Sequence, residues 1–301
     1  MKHWLSAFRL RTLPLAVSSI LVGSAIAFFA SRNIAYDFKP GVLGLALLTA
    51  ILLQVLSNLA NDLGDHQHGT DNKDRVGPQR AVQSGAISPA AMKRAMIICA
   101  SLAFASGCAL ILVALGTTVT TLIFLLLGLA AIGAAVKYTF GKNPYGYTGL
   151  GDMSVFFFFG IVGVCGTFYL HAQAFSWVLL IPAAAFGLLS GAVLNVNNMR
   201  DIVNDAASGK RTLVVRLGSA RAKIYHVFLV IGGITCLVVL TLLMDASWSQ
   251  WLFLLALPGF LIHLKRVLTN TEPRQLDPQL KTLAMTTFLT AILFSLGLIL
   301  A

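Results

Sequence analysis

Charge is what this 301-residue sequence has least of: 11% of its residues are Asp, Glu, Lys or Arg, against roughly 25% in soluble domains. That shortage excludes a water-soluble globular domain. Acidic residues are the scarcer half, 11 against 22 Lys and Arg, so any cluster of them stands out. Cysteine is also sparse. Cys99, Cys108, Cys165 and Cys236 all fall inside apolar runs and no pair has CxxC spacing, which excludes a zinc or redox motif and leaves them as small packing residues. No Pro-rich linker, low-complexity tail or secretory signal with a small-residue cleavage site is evident, and the first apolar run reads as a retained span.

What is there is apolar: 57% of residues are hydrophobic and the mean hydropathy is +0.82. A chain of this kind is a polytopic membrane protein, helical in its spans because lipid forces every backbone group to bond internally. The runs predict nine spans, near 13–30, 40–60, 95–115, 117–136, 153–170, 177–197, 224–243, 250–264 and 282–300. Gly116-Thr117 separates the third from the fourth. The spacing of Gly160, Gly163 and Gly166 predicts one face of close helix approach in the fifth. Of the 22 Lys and Arg, all but Arg32 and Lys39 fall on the N-terminal side of this topology. The N-terminus and its companion loops are therefore expected in the cytoplasm of a cell whose inner membrane holds the protein. The net charge of +11 then reflects topology and an anionic leaflet, not nucleic-acid binding.

Two acid clusters interrupt this pattern. NLANDLGDHQHGTD (58–71) closes the second span, with Asn58, Asp62 and Asp65 at i, i+4 and i+7, one helical face, followed by Asp71. NVNNMRDIVNDAASGKRTL (195–213) closes the sixth, with Asn198, Asp201 and Asp205 at i, i+3 and i+7, then Lys210 and Arg211 past Ser208-Gly209. Carboxylates crowded this way repel unless a cation lies between them. Hard oxygen ligands of this sort suit Mg²⁺ bridging to phosphate. His66 and His68 read as poor ligands for such a site. The clusters, four spans apart, predict a weak duplication (halves of about 1–150 and 151–301 in a single membrane domain) and a face-to-face arrangement across the bundle.

Other polar stretches admit two readings each. Arg9 and Arg11 are either positive-inside anchors or, for Arg11, a contact to an anionic substrate group. Segment 73–89, with Arg75 and Arg80, is either a solvated loop or a cover over a water-sensitive reaction. Segment 137–152 holds Lys137, Lys142, several tyrosines and Asp152, the last readable as a helix N-cap. Phe156–Phe159 are either lipid-facing or part of a greasy tunnel.

With Asn61-Asp62-x-x-Asp65 and Asp201-x-x-x-Asp205 at the ends of its second and sixth spans, the chain resembles the UbiA superfamily of intramembrane prenyltransferases. YGYTGLGD (145–152), NVNNMRD and GKRTLVVRLG are similar to its menaquinone branch. One departure stands out: the third Asp of the family's first motif would fall on Gly69, and Asp71 lies two positions later. The resemblance implies an all-α bundle of nine transmembrane helices around a central cavity open to lipid. It implies two Mg²⁺ ions on Asn58, Asp62, Asp65, Asp71, Asn198, Asp201 and Asp205, and diphosphate contacts from Lys137, Arg200, Lys210 and Arg211. The expected substrates are a polyprenyl diphosphate and 1,4-dihydroxy-2-naphthoate, joined with loss of CO₂. Arg11, Arg80 and Lys142 are candidates for the acceptor's carboxylate. A 4-hydroxybenzoate enzyme is the nearest alternative, and a secondary transporter the alternative from another class, although no acid falls at a span centre. Oligomeric state is left open.

Overall fold

The computed structural model describes residues 2–32, 36–72, 76–244 and 247–301. Among them are nine helices long and apolar enough to cross a membrane: α1 Lys2–Ser31, α2 Pro40–Gln67, α3 Pro89–Leu115, α4 Val119–Lys137, α5 Gly151–Ala172, α6 Trp177–Arg200, α7 Leu213–Leu243, α8 Trp248–Thr269 and α9 Pro273–Leu300. All nine expected spans are present and no strand occurs among the described residues. The differences lie mainly at the end carrying the acid clusters, where α2 runs on to Gln67 and α6 to Arg200. Hydropathy loses these turns because they are polar, yet Asn58, Asp62 and Asp65 of α2 and Asn195, Asn198 and Arg200 of α6 are buried.

Local chemistry sets the breaks. Arg9 adopts a left-handed conformation (φ 49°), so the first turns of α1 fold across the entrance before the membrane-spanning stretch Leu13–Ser31. Gly116 (φ 63°) ends α3, and Thr118 opens α4 with a reciprocal capping box to Thr121. At the opposite end of the bundle, Lys39 donates to Ala114 O (3.2 Å) and Arg32 to Ile299 O (2.6 Å). The two basic residues that break the charge bias thus bind carbonyls near the C-termini of α3 and α9, where the helix dipole favours a cation.

The bundle closes on itself: α1 packs against α2, α5 and α9, while α6 packs against α5, α7 and α9. α6 is the most enclosed of the nine and α4, packed on α2 and α3, the most exposed to lipid. α5 is irregular: Phe156–Gly166 is a π-helix. Its wider turn corrects the single glycine face expected from i, i+3 spacing. A Cβ on Gly160 would strike Ala183 O of α6, whereas one on Gly163 would lie 2.7 Å from Ser19 Cβ of α1. Gly166 faces the cavity instead. Cys99 and Cys165 are free and buried, donating to Leu52 O and Leu179 O.

Candidate active site

A cavity enters the bundle from the end that carries the acid clusters. Its polar head is lined by Asn58, Asp65, Asn198, Asp201, Asp205 and Lys210, and its apolar arm runs between α4 (Phe124, Leu127) and α5 (Phe158, Val162). Phe158 and Phe159 of the aromatic run therefore face the cavity.

The first cluster is built on the last turns of α2. Asn58, Asn61 and Asp65 line the cavity; Asp62 does not. At 100° per residue, Asn61 lies as near the 58–65 line as Asp62 does, on the other flank. Asp62 is turned to the 76–88 loop, where it accepts from the backbone N–H groups of Ala81 (3.2 Å) and Val82 (3.1 Å). Asn58 donates to Phe8 O (2.9 Å) and Thr12 Oγ1 (3.0 Å), strapping the bent start of α1 to α2. Asp71 is buried outside the lining, 3.6 Å from Arg80 Nε. At the position where the family motif has Asp, Gly69 takes φ +72° as α2 turns away, a left-handed conformation that glycine adopts most readily. Arg80, also donating to Asp65 Oδ2 at 3.1 Å, lies between the two carboxylates. Of the two loop arginines, Arg75 falls outside the described residues.

The second cluster lies where α6 stops. Asp201 (φ −96°, ψ 6°) is the joint between α6 and a short helix, Ile202–Ala207, that carries Asp205. One unbroken face was expected; the break leaves Asn198, Asp201 and Asp205 all on the cavity. Lys210 joins the two clusters, its Nζ 3.8 Å from Asp65 Oδ1 and 3.7 Å from Asp205 Oδ1, over the face of Tyr147.

Four basic candidates stand elsewhere. Arg200, 2% exposed, is committed to Asp201, Asp277 and Asn197 and is not in the lining. Lys137 is exposed and donates to Lys142 O, and Lys142 is exposed beside it. Arg211 is exposed, with its backbone N–H bonded to Tyr147 O. The tight 138–149 turn points these long side chains to solvent. Arg11 does line the cavity, 3.7 Å from Asp277 Oδ2. Asp152 lies inside the first turn of α5, after Leu150 as N-cap, and accepts from Tyr225.

Sequence reasoning missed several residues at this site. Tyr147 donates to Asp65 Oδ1 (2.8 Å), and burial, reinforced by Asp65, pushes its phenol well above the ordinary tyrosine range, so it remains a donor. Asn61 accepts from Thr139 Oγ1 at 2.6 Å, at a contact where α2 passes so closely that a Cβ on Gly64 would strike Thr139 O. Asn204 lines the cavity, and its Nδ2 donates to Thr70 O (2.8 Å) while its buried Oδ1 has no hydrogen-bond partner. No spacing rule links Tyr147 to Asp65; the visible signals were the place of Asn61 in the Asn61-Asp62-x-x-Asp65 motif and that of Asn204, one before Asp205.

The donor set fits a hard divalent cation: carboxylates of Asp65, Asp201 and Asp205, with the oriented and unpartnered amide oxygen of Asn204. His66 is exposed, and His68 Nδ1 lies 2.9 Å from Gly64 O, so imidazole takes no part in the lining. Among the described residues no three Asp, Glu, His or Cys side chains converge on one point. Lys210 and Arg80 stand between the carboxylates instead.

This geometry coincides with a family match. The UbiA prenyltransferase family model covers residues 16–300. The chain belongs to the UbiA prenyltransferase family. It is 46% identical to the 1,4-dihydroxy-2-naphthoate octaprenyltransferase of Escherichia coli, over 99% of this chain and 95% of that one. With the Haemophilus influenzae protein of the same name it shares 44% identity, over 99% and 96%. Its fold is similar to that of a UbiA homologue from Archaeoglobus fulgidus solved bound to GPP and Mg²⁺, with TM-score 0.63, 19% identity and coverage of 97% and 98%. As a UbiA family member the chain is a multi-pass membrane protein with the nine-helix fold inferred from its hydropathy.

Proposed function

We propose that this protein transfers a long polyprenyl group, octaprenyl by its relatives' names, from the diphosphate to 1,4-dihydroxy-2-naphthoate. Diphosphate and CO₂ leave, and the product is demethylmenaquinol for menaquinone biosynthesis. The single observation that carries the reading is the convergence of both acid clusters, through Lys210, at the head of an apolar cavity. Identity of 44–46% to proteins of that name supports the acceptor and the donor. The reaction belongs at the cytoplasmic face of the inner membrane, with each half of the chain supplying one acid cluster.

Asp65, Asp201, Asp205, Asn198 and Asn204 would hold the Mg²⁺, two ions on this reading. Once bound, the metal would neutralise charge gathering on the diphosphate as the allylic C–O bond breaks. The chain's own residues do the rest. Lys210 and Arg80, now on carboxylates, are placed to turn to phosphate oxygens and add fixed positive charge. Tyr147 keeps Asp65 oriented. The walls of α4 and α5 exclude water from the developing allylic cation, and Phe158 and Phe159 supply aromatic rings to that lining. Arg11, at the mouth, is the stronger candidate for the acceptor carboxylate; Arg80 also lines the cavity, whereas Lys142 does not.

The test is incubation of the detergent-purified protein with 1,4-dihydroxy-2-naphthoate or 4-hydroxybenzoate and octaprenyl diphosphate, with and without EDTA, followed by mass analysis. A decarboxylated, prenylated naphthoquinol that vanishes with EDTA is expected. Prenylation of 4-hydroxybenzoate alone would overturn the acceptor, and substrate uptake into proteoliposomes without any product would favour a transporter.

A further inference from the structure

We propose that Asp277, at the start of α9 and outside both acid clusters, is a positioning residue. Through the buried Arg200 guanidinium it sets how Asp201 faces the cation–diphosphate site. The inference rests on the reading that Asp201 is a metal ligand.

Arg200 heads the largest fully buried side chains of the protein and spends its donors almost completely. Nε donates to Asp201 Oδ1 (2.8 Å) and Nη2 to Asp201 Oδ2 (2.6 Å), a two-pronged grip on one carboxylate. Nη1 donates to Asp277 Oδ1 (2.5 Å), and Nη2 also to Asn197 Oδ1 (3.0 Å). The other oxygen of Asp277 lies 3.7 Å from Arg11 Nη1 at the cavity mouth. A four-charge chain, Arg11–Asp277–Arg200–Asp201, thus crosses from α1 through α9 to the joint at the end of α6.

An acid in the first turn of a helix is favoured by the dipole alone. That explains a carboxylate on α9, but not one aimed at an arginine whose other edge holds a motif aspartate. One guanidinium shared by two carboxylates neutralises each only in part. Asp201 therefore keeps charge for a divalent ion on the side facing the cavity, while the grip on both its oxygens holds it still. Without Asp277 the whole Arg200 charge falls on Asp201, which then competes with the metal. Loss of such an outer partner typically weakens metal affinity about 10- to 100-fold.

The experiment measures the Mg²⁺ midpoint for thermal stabilisation of the purified protein in saturating inorganic diphosphate, without turnover. Asp277→Asn, Asp277→Glu and Asp201→Asn are compared with the parent, and turnover at limiting and saturating Mg²⁺ is recorded alongside. Asp277→Asn is expected to raise the midpoint about 10-fold or more, with turnover recovering at high Mg²⁺, and Asp277→Glu to return most of the shift. A lower metal-free Tm with an unchanged midpoint would overturn the proposal, leaving Asp277 a packing residue. Should Asp277→Asn not fold, Asp277→Ser takes its place, and a midpoint there identical to the parent's overturns the proposal equally. An unshifted midpoint in Asp201→Asn would instead overturn the metal-ligand reading beneath it.

Discussion

Asp65 and Asp205, 140 positions apart in the sequence, share one ammonium: Lys210 Nζ lies 3.8 Å from the first and 3.7 Å from the second. Two carboxylates from opposite halves of the bundle are thereby held together without metal. On the proposed function the lysine would be a counter-ion that a divalent cation replaces, after which its charge would serve the diphosphate. Lys210→Gln should lower turnover by roughly 10²- to 10³-fold, the usual cost of losing one preorganised donor to a developing anion. Single-turnover kinetics at saturating Mg²⁺ checks it, and a loss under threefold would place Lys210 outside the chemistry.

The loop over the site is held by Asp62. Both of its oxygens accept backbone N–H groups, from Ala81 and Val82. Asp62→Ala removes a buried charged acceptor and leaves two donors unpaired, a cost of about 1–3 kcal/mol. Faster proteolysis within 76–88 is expected together with lost turnover, while membrane insertion is unchanged. Lost turnover with the parent's cleavage rate would return Asp62 to direct metal binding.

Tyr147→Phe deletes the bonds to Asp65 Oδ1 and Thr70. Turnover should fall about 10- to 100-fold, in line with roughly 1.5–3 kcal/mol for one hydrogen bond to a charged group. Tyrosine burial also has a pH consequence. Burial pushes the phenols of Tyr138, Tyr145 and Tyr147 above the ordinary tyrosine range. The folded state keeps protons that the unfolded chain gives up near pH 10, so stability is intact below that pH and falls as it rises. Thermal melts between pH 8 and 11 should decline at the alkaline end, less steeply in Tyr147→Phe. A flat profile would contradict the burial of these phenols.

How much of this was legible beforehand follows from what each signal depends on. Nine spans are written in apolar length, a local property of the chain, and the Lys/Arg bias supplies an expected orientation. The acid clusters announce themselves because charge is so rare here. What spacing alone does not convey depends on the third dimension. Asn58, Asp62 and Asp65 share a face by spacing, yet a loop arriving from residues 81–82 claims Asp62 and the bend at Arg9 claims Asn58. The family resemblance implied a diphosphate contact from Arg200; its bonds to Asp201, Asn197 and, on α9, Asp277 show its donors to be spent. The π-helical turn of Phe156–Gly166 likewise separates glycines that an α-helical count would align.

Packing gives a further prediction. Gly64 passes so near Thr139 that any Cβ meets its carbonyl oxygen. Gly64→Ala should destabilise the protein by about 1–3 kcal/mol, the usual cost of overpacking, and weaken the Asn61–Thr139 contact beside the cavity. A Tm in detergent equal to the parent's would show that the loop can yield.

The most direct measurement is a double-mutant cycle between Asp65→Asn and Asp205→Asn on Mg²⁺-dependent binding of a thio-linked, non-reacting allylic diphosphate. If both carboxylates serve one cation–diphosphate site, each single change costs nearly as much as the pair, with a coupling of about 1 kcal/mol or more. Losses that add within about 0.5 kcal/mol would mean that the two aspartates act on separate sites, and the shared site would be contradicted.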